Sequence, residues 1–281
     1  MKHIALFLFV AFSAMNITSD ISAQTICENG FAGEYACDGY DLYTYFPLSS
    51  VGGGDNGNDC WGWVDSESGR EFVLFGRSDG MSVVEITDPL APSYIANLPT
   101  ATYPSLWRDI KVIGDYAFIG SEAGMHGMQI LDLTQVLDLS GFPFNITATS
   151  NYLGFGNAHN LAANPETNYV YGVGTNTFGG GLHIVDVSNP EAPFLAGSYD
   201  GAYSHDVQPV IYNGLDADYQ GQEIVFCFNG QNGLAIVNAE DKSDVYLIKE
   251  ITYENGFYTH QGWLSEDHHM LYFNDELDET Y

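Results

Sequence analysis

One pattern of apolar and polar positions recurs along the chain: a glycine, a run dominated by large apolar residues, then an acid or amide. It reads Gly80-Met-Ser-Val-Val-Glu85-Ile, Gly127-Met-Gln-Ile-Leu-Asp132-Leu, Gly181-Leu-His-Ile-Val-Asp186-Val and Gly233-Leu-Ala-Ile-Val-Asn238-Ala. Ahead of each copy stands a second apolar run, at 71–76, 116–120, 169–173 and 223–228, and a fifth such run occupies 269–274. Behind each copy comes another, at 93–98, 151–154, 194–197 and 245–250. Two copies reach it through proline turns, Thr87-Asp88-Pro89-Leu-Ala-Pro92 and Ser188-Asn189-Pro190-Glu-Ala-Pro193. Short runs rich in Val, Ile, Tyr and Phe, bounded by Gly, Asn and Asp, predict strands.

A leading strand begins each unit: Cys60-Trp-Gly-Trp63, Trp107-Arg-Asp-Ile110, Ala158-His-Asn-Leu161, Ser204-His-Asp-Val207 and Thr259-His-Gln-Gly262. Four strands repeating at about fifty residues predict an all-β chain, a β-propeller of four-stranded antiparallel blades. A β-sandwich would carry strands without this four-beat unit. The expected layout is a signal peptide over 1–23, an N-terminal segment over 24–59 and propeller repeats over 60–281. Residues 41–46 read as a ring-closing fourth strand. The fifth unit lacks its glycine-led strand, so the propeller is expected to be incomplete at the C-terminus.

Composition narrows the partners. Lys and Arg together number 7 against 37 Asp and Glu, a formal charge of -30. Binding to nucleic acid or to an anionic membrane needs basic side chains, so both are excluded. Lys2 and His3, the apolar stretch 4–15 and Ser22-Ala23-Gln24 have the layout of a secretory signal cleaved near Ala23. The expected location is therefore outside the cytoplasm, secreted or on the cell surface, where disulfides persist. Cys27 and Cys37 lie close together in a Gly-rich segment and favour a local bridge. Cys60 and Cys227 fall in distant strands, and four cysteines leave three pairings open. No other run is long and apolar enough to cross a bilayer.

The leading strands also carry the candidate chemistry. His159, His205 and His260 hold one equivalent position, with Arg108 at that position in an earlier unit; the next residue is Asp109, Asn160, Asp206 or Gln261. Leading strands of a propeller line its axis, so these side chains are expected to form a ring. Three imidazoles could bind a transition metal with carboxylate support, or an anion together with Arg108. Equally, they could satisfy loop backbones at the channel mouth. The oxygen-rich stretches Asp55-Asn-Gly-Asn-Asp59 and Asp216-Ala-Asp218 could hold calcium, or simply form turns. The acidic run 275–279 reads as a solvated loop. No Gly-x-Ser-x-Gly elbow surrounds Ser105 or Ser204, and no nucleophile, base and oxyanion set assembles.

The motifs Cys27-Glu-Asn-Gly-Phe-Ala-Gly-Glu-Tyr, Cys37-Asp-Gly-Tyr-Asp-Leu, Asn58-Asp-Cys-Trp-Gly-Trp63, Leu182-His-Ile-Val-Asp186, Ser204-His-Asp-Val-Gln208, Thr259-His-Gln-Gly-Trp263 and Asn274-Asp-Glu-Leu-Asp-Glu279 resemble the choice-of-anchor B family of exported bacterial proteins with LVIVD-type repeats. The resemblance implies a propeller displayed outside the cell and transfers no catalytic residues. The expected function is a binding or interaction module for an extracellular protein, a glycan or a small ligand. The alternative is a metal-dependent hydrolase or lyase with an axial histidine site, in which Asp206 serves as base or supports the metal.

Overall fold

The computed structural model describes residues 24–139, 141 and 143–277. The signal peptide expected over 1–23 and the end of the acidic run lie outside the described residues. Two compact units emerge, one formed by 24–45 with 89–91, the other by 46–88 with 92–277.

The small unit carries the Cys27–Cys37 disulfide, which spans ten positions. Two short strands, β1 (Phe31–Ala32) and β2 (Tyr35–Ala36), pair between the two cysteines. The ring-closing strand expected over 41–46 is not formed. Leu42 makes an isolated bridge to Thr25, and the Asp41 carboxylate accepts the Cys27 N–H at 2.8 Å, so this stretch is engaged locally.

The large unit is a β-propeller, with no α-helix among the described residues. Its first sheet holds β3 (Gly57–Val64), β4 (Glu71–Arg77), β5 (Gly80–Glu85) and β6 (Ser93–Pro99). The second holds β7 (Arg108–Ile113), β8 (Tyr116–Ser121) and β9 (Met128–Asp132). Next along the chain, β10 (Phe144–Asn145) leaves that sheet and adds in parallel to the outer edge of the first, with Phe144 opposite Ala96. Then β11 (Ser150–Tyr152) completes the second sheet. The third contains β12 (Asn160–Asn164), β13 (Tyr169–Val173), β14 (Leu182–Asp186) and β15 (Phe194–Tyr199). The fourth contains β16 (Asp206–Ile211), β17 (Glu223–Phe228), β18 (Leu234–Asn238) and β19 (Tyr246–Ile251). A fifth pairs β20 (Thr259–Leu264) with β21 (Leu271–Asp275). Consecutive strands pair antiparallel, as the period predicts.

Each part of the recurrent phrase has a physical cause. A Cβ on Gly127 or Gly181 would sit 2.2 Å from the carbonyl oxygen of Tyr152 or Tyr199 at the end of the fourth strand, so only glycine fits. The closing acid or amide caps the turn that follows. Asp132, Asp186 and Asn238 accept the N–H two residues on, from Thr134, Ser188 and Glu240, at 2.9, 2.9 and 3.0 Å. The apolar residues between them fill cores shared by successive blades. Leu74 and Met81 meet Ile110 and Ile119 between the first and second; Phe118 and Ile130 meet Leu161 and Val185 between the second and third. Tyr171 and Ile184 meet Val207 and Val225 between the third and fourth. Burying each large apolar side chain contributes roughly 1.5–3 kcal/mol, so each blade is stabilised mainly by its neighbours.

Radial packing brings the inner strands side by side in the order β3, β7, β12, β16 and β20. Side chains alternate along these strands. Ile110, Leu161 and Val207 turn outward into the cores, while Asp109, Asn160 and Asp206 face a common cavity.

Candidate functional site

The three histidines converge at one end of these inner strands. His159 and His205 directly precede β12 and β16, and His260 is the second residue of β20. The segments of His159 and His205 are tied to the second strand of their own blades, and that of His260 to the β17–β18 loop of the fourth blade. The His159 N–H donates to the Val173 carbonyl at 3.0 Å, the His205 N–H to Phe228 at 2.7 Å, and Thr259 and Gly230 exchange bonds of 3.0 Å. So anchored, the imidazoles touch. Nε2 of His159 lies 2.7 Å from Nε2 of His205, and the His205 ring centroid is 4.3 Å from that of His159 and 4.4 Å from that of His260.

The partners of the remaining ring nitrogens set the tautomers. Nδ1 of His159 lies 2.6 Å from the Glu122 carboxylate, and Nδ1 of His205 lies 3.1 Å from the His260 carbonyl. Neither oxygen can donate, so each Nδ1 carries the hydrogen. On the far side, Nε2 of His260 stands 3.9 Å from the Glu276 carboxylate. The ligand atoms of His205, His260 and Glu276 lie within 4.8 Å of one another, the one such group among the described residues. Burial, then repulsion from His159 and His260, pushes the His205 imidazole down to about 4. The Tyr258 ring packs edge-on against His205, centroids 5.4 Å apart, and burial with its neighbour Tyr258 pushes the Tyr203 phenol up.

One residue further along each strand begins an open cavity of about 890 Å³. Asp59, Asp109, Asn160, Asp206 and Gln261 line it, with Trp61 and Trp263 on its wall. A single cation, Lys111, sits among the acids, 2.5 Å from Asp109 and 3.8 Å from Asp59, and 4.8 Å above the Trp61 ring. Burial and the neighbouring Asp109 carboxylate raise Asp59 to about 7, and burial with the same neighbour raises Asp206 to about 6. Asp206 itself accepts the Val207 N–H at 2.8 Å.

Of the side chains named from sequence, the structure brings all but Arg108 together at or beside this cavity. That guanidinium is 1% exposed and turns away between blades. It donates to the Arg77 carbonyl at 2.9 Å, to Nε2 of His126 at 3.0 Å and to Thr100 at 2.8 Å, and burial brings it down to about 10. Buried acceptors between the blades hold its guanidinium there, although Asp109 keeps register with Asn160 and Asp206 on the cavity side. The anion site expected of Arg108 with the histidines is not assembled.

Neither calcium candidate gathers its oxygens into a site. Asn58 and Asp59 accept the N–H groups of Arg108 and Ile110 at 2.8 and 2.9 Å, and Asp216 caps the N–H of Asp218 at 3.1 Å. The acidic run is not simply solvated either. Asp275 is 6% exposed and accepts from Tyr253, Phe257, Tyr258 and Leu277 at 2.7–3.0 Å. Burial raises its pKa, but these donors outweigh that and hold it at about 2. Of the other cysteines, Cys227 is buried and its thiol is pushed up to about 12, while Cys60 is exposed.

Sequence reasoning missed Glu122, Glu276, Lys111 and Asp59 as parts of this region. Glu122 and Glu276 each directly follow the second strand of a blade, so the signal was an acid at a matching place beside the histidine-bearing strands.

Comparison with known proteins agrees on the architecture. The LVIVD repeat family matches residues 107–133 and 156–201. No curated protein is similar enough in sequence to match. Among solved structures, a functionally unknown protein from Desulfotomaculum acetoxidans superposes with a TM-score of 0.50 at 13% identity, over 76% of this chain and 62% of that one. A periplasmic gluconolactonase from Pseudomonas aeruginosa gives 0.50 at 12% identity, over 74% of this chain and 62% of that one. The chain thus spans less than two thirds of the length of either protein, and the likeness is one of fold. What the comparisons establish is a β-propeller carrying LVIVD repeats.

Proposed function

We propose that the chain is an exported binding propeller of the choice-of-anchor B type, secreted or held at the cell surface, which captures its ligand in the axial cavity. One observation carries this reading: the inner strands surround an open cavity of about 890 Å³ lined by acids, amides and two tryptophans rather than a sealed apolar plug. Pockets with a few convergent polar groups and aromatic walls are the usual sites of small-ligand capture. The Cys27–Cys37 bridge supports export, because such bridges persist in oxidising compartments. The alternative, a metal-dependent hydrolase or lyase, has the contact between His159 and His205 in its favour. The gluconolactonase likeness, at 12% identity, lends it no substrate.

Trp61 and Trp263 line the cavity and are 38% and 64% exposed, so their fluorescence reports its filling. In a titration with neutral disaccharides, aldonic acids and short diamines, one class is expected to quench this fluorescence saturably. Both Trp263→Ala and Asp109→Asn should abolish the response. A chain whose fluorescence and melting temperature ignore every class, and also ignore purified cell-wall polysaccharide, would not be a binder of this kind.

A further inference from the structure

We infer that the histidine cluster at the end of the inner strands, beside the cavity, is a transition-metal site, in which a divalent ion such as Zn²⁺ is bound by Nε2 of His159 and His205 and completed by His260 and Glu276. The starting point is a conflict in the hydrogen-bond count. Both Nδ1 hydrogens are committed, one to Glu122 and one to the His260 carbonyl. Each Nε2 therefore presents a bare lone pair, and the two face each other at 2.7 Å. Two acceptors at that distance repel unless a positive species lies between or beside them. A shared extra proton would resolve the conflict, and so would a metal ion.

Three further features favour the metal. First, a ligating histidine characteristically donates its other ring N–H to a carboxylate or a backbone carbonyl, which fixes the ring and raises its basicity. His159 and His205 show one of each. Second, the spacing is close to that of a chelate. Nitrogens about 2.0–2.1 Å from Zn²⁺ stand roughly 2.9–3.4 Å apart, so the pair needs to open by only a few tenths of an ångström. Third, additional donors are at hand on the other side of His205: ligand atoms of His205, His260 and Glu276 lie within 4.8 Å of one another in a group that leaves out His159, so His260 and Glu276 must move toward the His159–His205 pair to complete the site. The side chains of His260 and Glu276 are 26% and 52% exposed and so are free to swing inward. Three imidazoles with one carboxylate suit zinc, copper, nickel or iron and not calcium, whose ligands are oxygens. In this arrangement Glu122 is a positioning residue and not a ligand.

The inference deepens the binding reading by naming the chemical class of one ligand, and it rests on that reading. The test uses the full exported chain without a polyhistidine tag, stripped with chelator, dialysed and titrated calorimetrically with Zn²⁺ alone at pH 7.5. One equivalent is expected to bind, while Ca²⁺ gives no heat. Co²⁺ should show the visible absorption of a nitrogen-rich site. His205→Ala should lose 100-fold or more in affinity. Glu122→Gln, which keeps an acceptor for Nδ1 but not its charge, should lose about 10-fold, within the range for groups that orient metal ligands. Circular dichroism of each variant checks that it is folded, and His260→Ala, at a more exposed position, serves as a second ligand variant if His205→Ala does not fold. The inference is overturned if the folded chain takes up no stoichiometric Zn²⁺, Co²⁺ or Cu²⁺, or if both His205→Ala and His260→Ala bind as tightly as the parent. It is equally overturned if imidazole ¹⁵N spectra show a proton shared by His159 and His205 that added metal leaves in place. If the chain takes up no metal while a cavity ligand still quenches the tryptophans, the ion is removed and the binding reading stands.

Discussion

Two sets of histidines in one propeller behave in opposite ways. His126 and His183 are packed inside blades, 0% and 1% exposed, and each neutral ring is fully satisfied. Nε2 of His126 accepts from Arg108 at 3.0 Å, and its Nδ1–H donates to the Gly127 carbonyl at 3.0 Å. His183 bonds the hydroxyls of Tyr152 and Thr177 at 2.7 and 2.8 Å, among the rings of Tyr152, Phe155 and Phe178. At the channel mouth, His159 and His205 have the same two-nitrogen inventory, yet their free lone pairs meet each other. A satisfied histidine is part of the packing. An unsatisfied pair held in place by its neighbours is what the proposed metal site requires.

This contrast can be broken first on the buried side. His183→Ala deletes a ring from an aromatic cluster and takes the partner from the buried Tyr152 hydroxyl, while Thr177 keeps Thr175, so denaturant unfolding should lose about 4 kcal/mol. A loss under 1 kcal/mol would mean that the buried ring is not the packing element described.

The pH dependence comes next in size. Burial pushes His126 and His183 down to about 4, below the ordinary 6.5. Between those values the unfolded chain binds protons that the folded chain refuses. The stability these rings provide is therefore present above pH 6.5 and lost as pH falls toward 4, on the order of 3 kcal/mol for each. The raised carboxyls work the other way: the contribution of Asp59 is full below about 3.8 and lost as pH rises through about 7. A difference measurement separates them. The stability gap between the parent and His183→Gln should narrow by about 3 kcal/mol from pH 7 to pH 4. A gap that stays constant would show that the ring protonates freely in the fold.

How much of this was legible in the sequence depended on whether a signal is periodic. The blade was readable because glycine, apolar alternation and a terminal acid each answer a need that every blade repeats, as Gly127 and Asp132 show. The histidine ring was readable for the same reason. Arg108 holds the aligned position and yet points elsewhere, because acceptors buried between the blades, the Arg77 carbonyl, His126 and Thr100, take its guanidinium. Glu122 and Glu276 were missed, since they enter from other strands and only radial packing brings them to the imidazoles; their matching places after a second strand were the one signal. Residues 41–46 had strand composition without a strand: their backbone and the Asp41 carboxylate pair with Thr25 and Cys27. His183 sat unnoticed inside Leu182-His-Ile-Val-Asp186, where an apolar-looking phrase hid a buried polar ring.

The smallest expected effect is also the sharpest test of the contrast. In metal-free protein, His159→Ala removes one of two opposed lone pairs and frees Nε2 of His205 to accept from water. It also forfeits the contact with Glu122, whose side chain is 36% exposed, and a screened pair of that kind contributes roughly 0–1 kcal/mol. Relief and loss should nearly cancel, leaving stability within about 0.5 kcal/mol of the parent. Adding Zn²⁺ at a hundred times its dissociation constant should then stabilise the parent by about 2.7 kcal/mol and leave the variant unmoved. If His159→Ala costs 2 kcal/mol or more without metal, the mouth pair is already satisfied, as His126 is, and the two sets of histidines do not differ in kind.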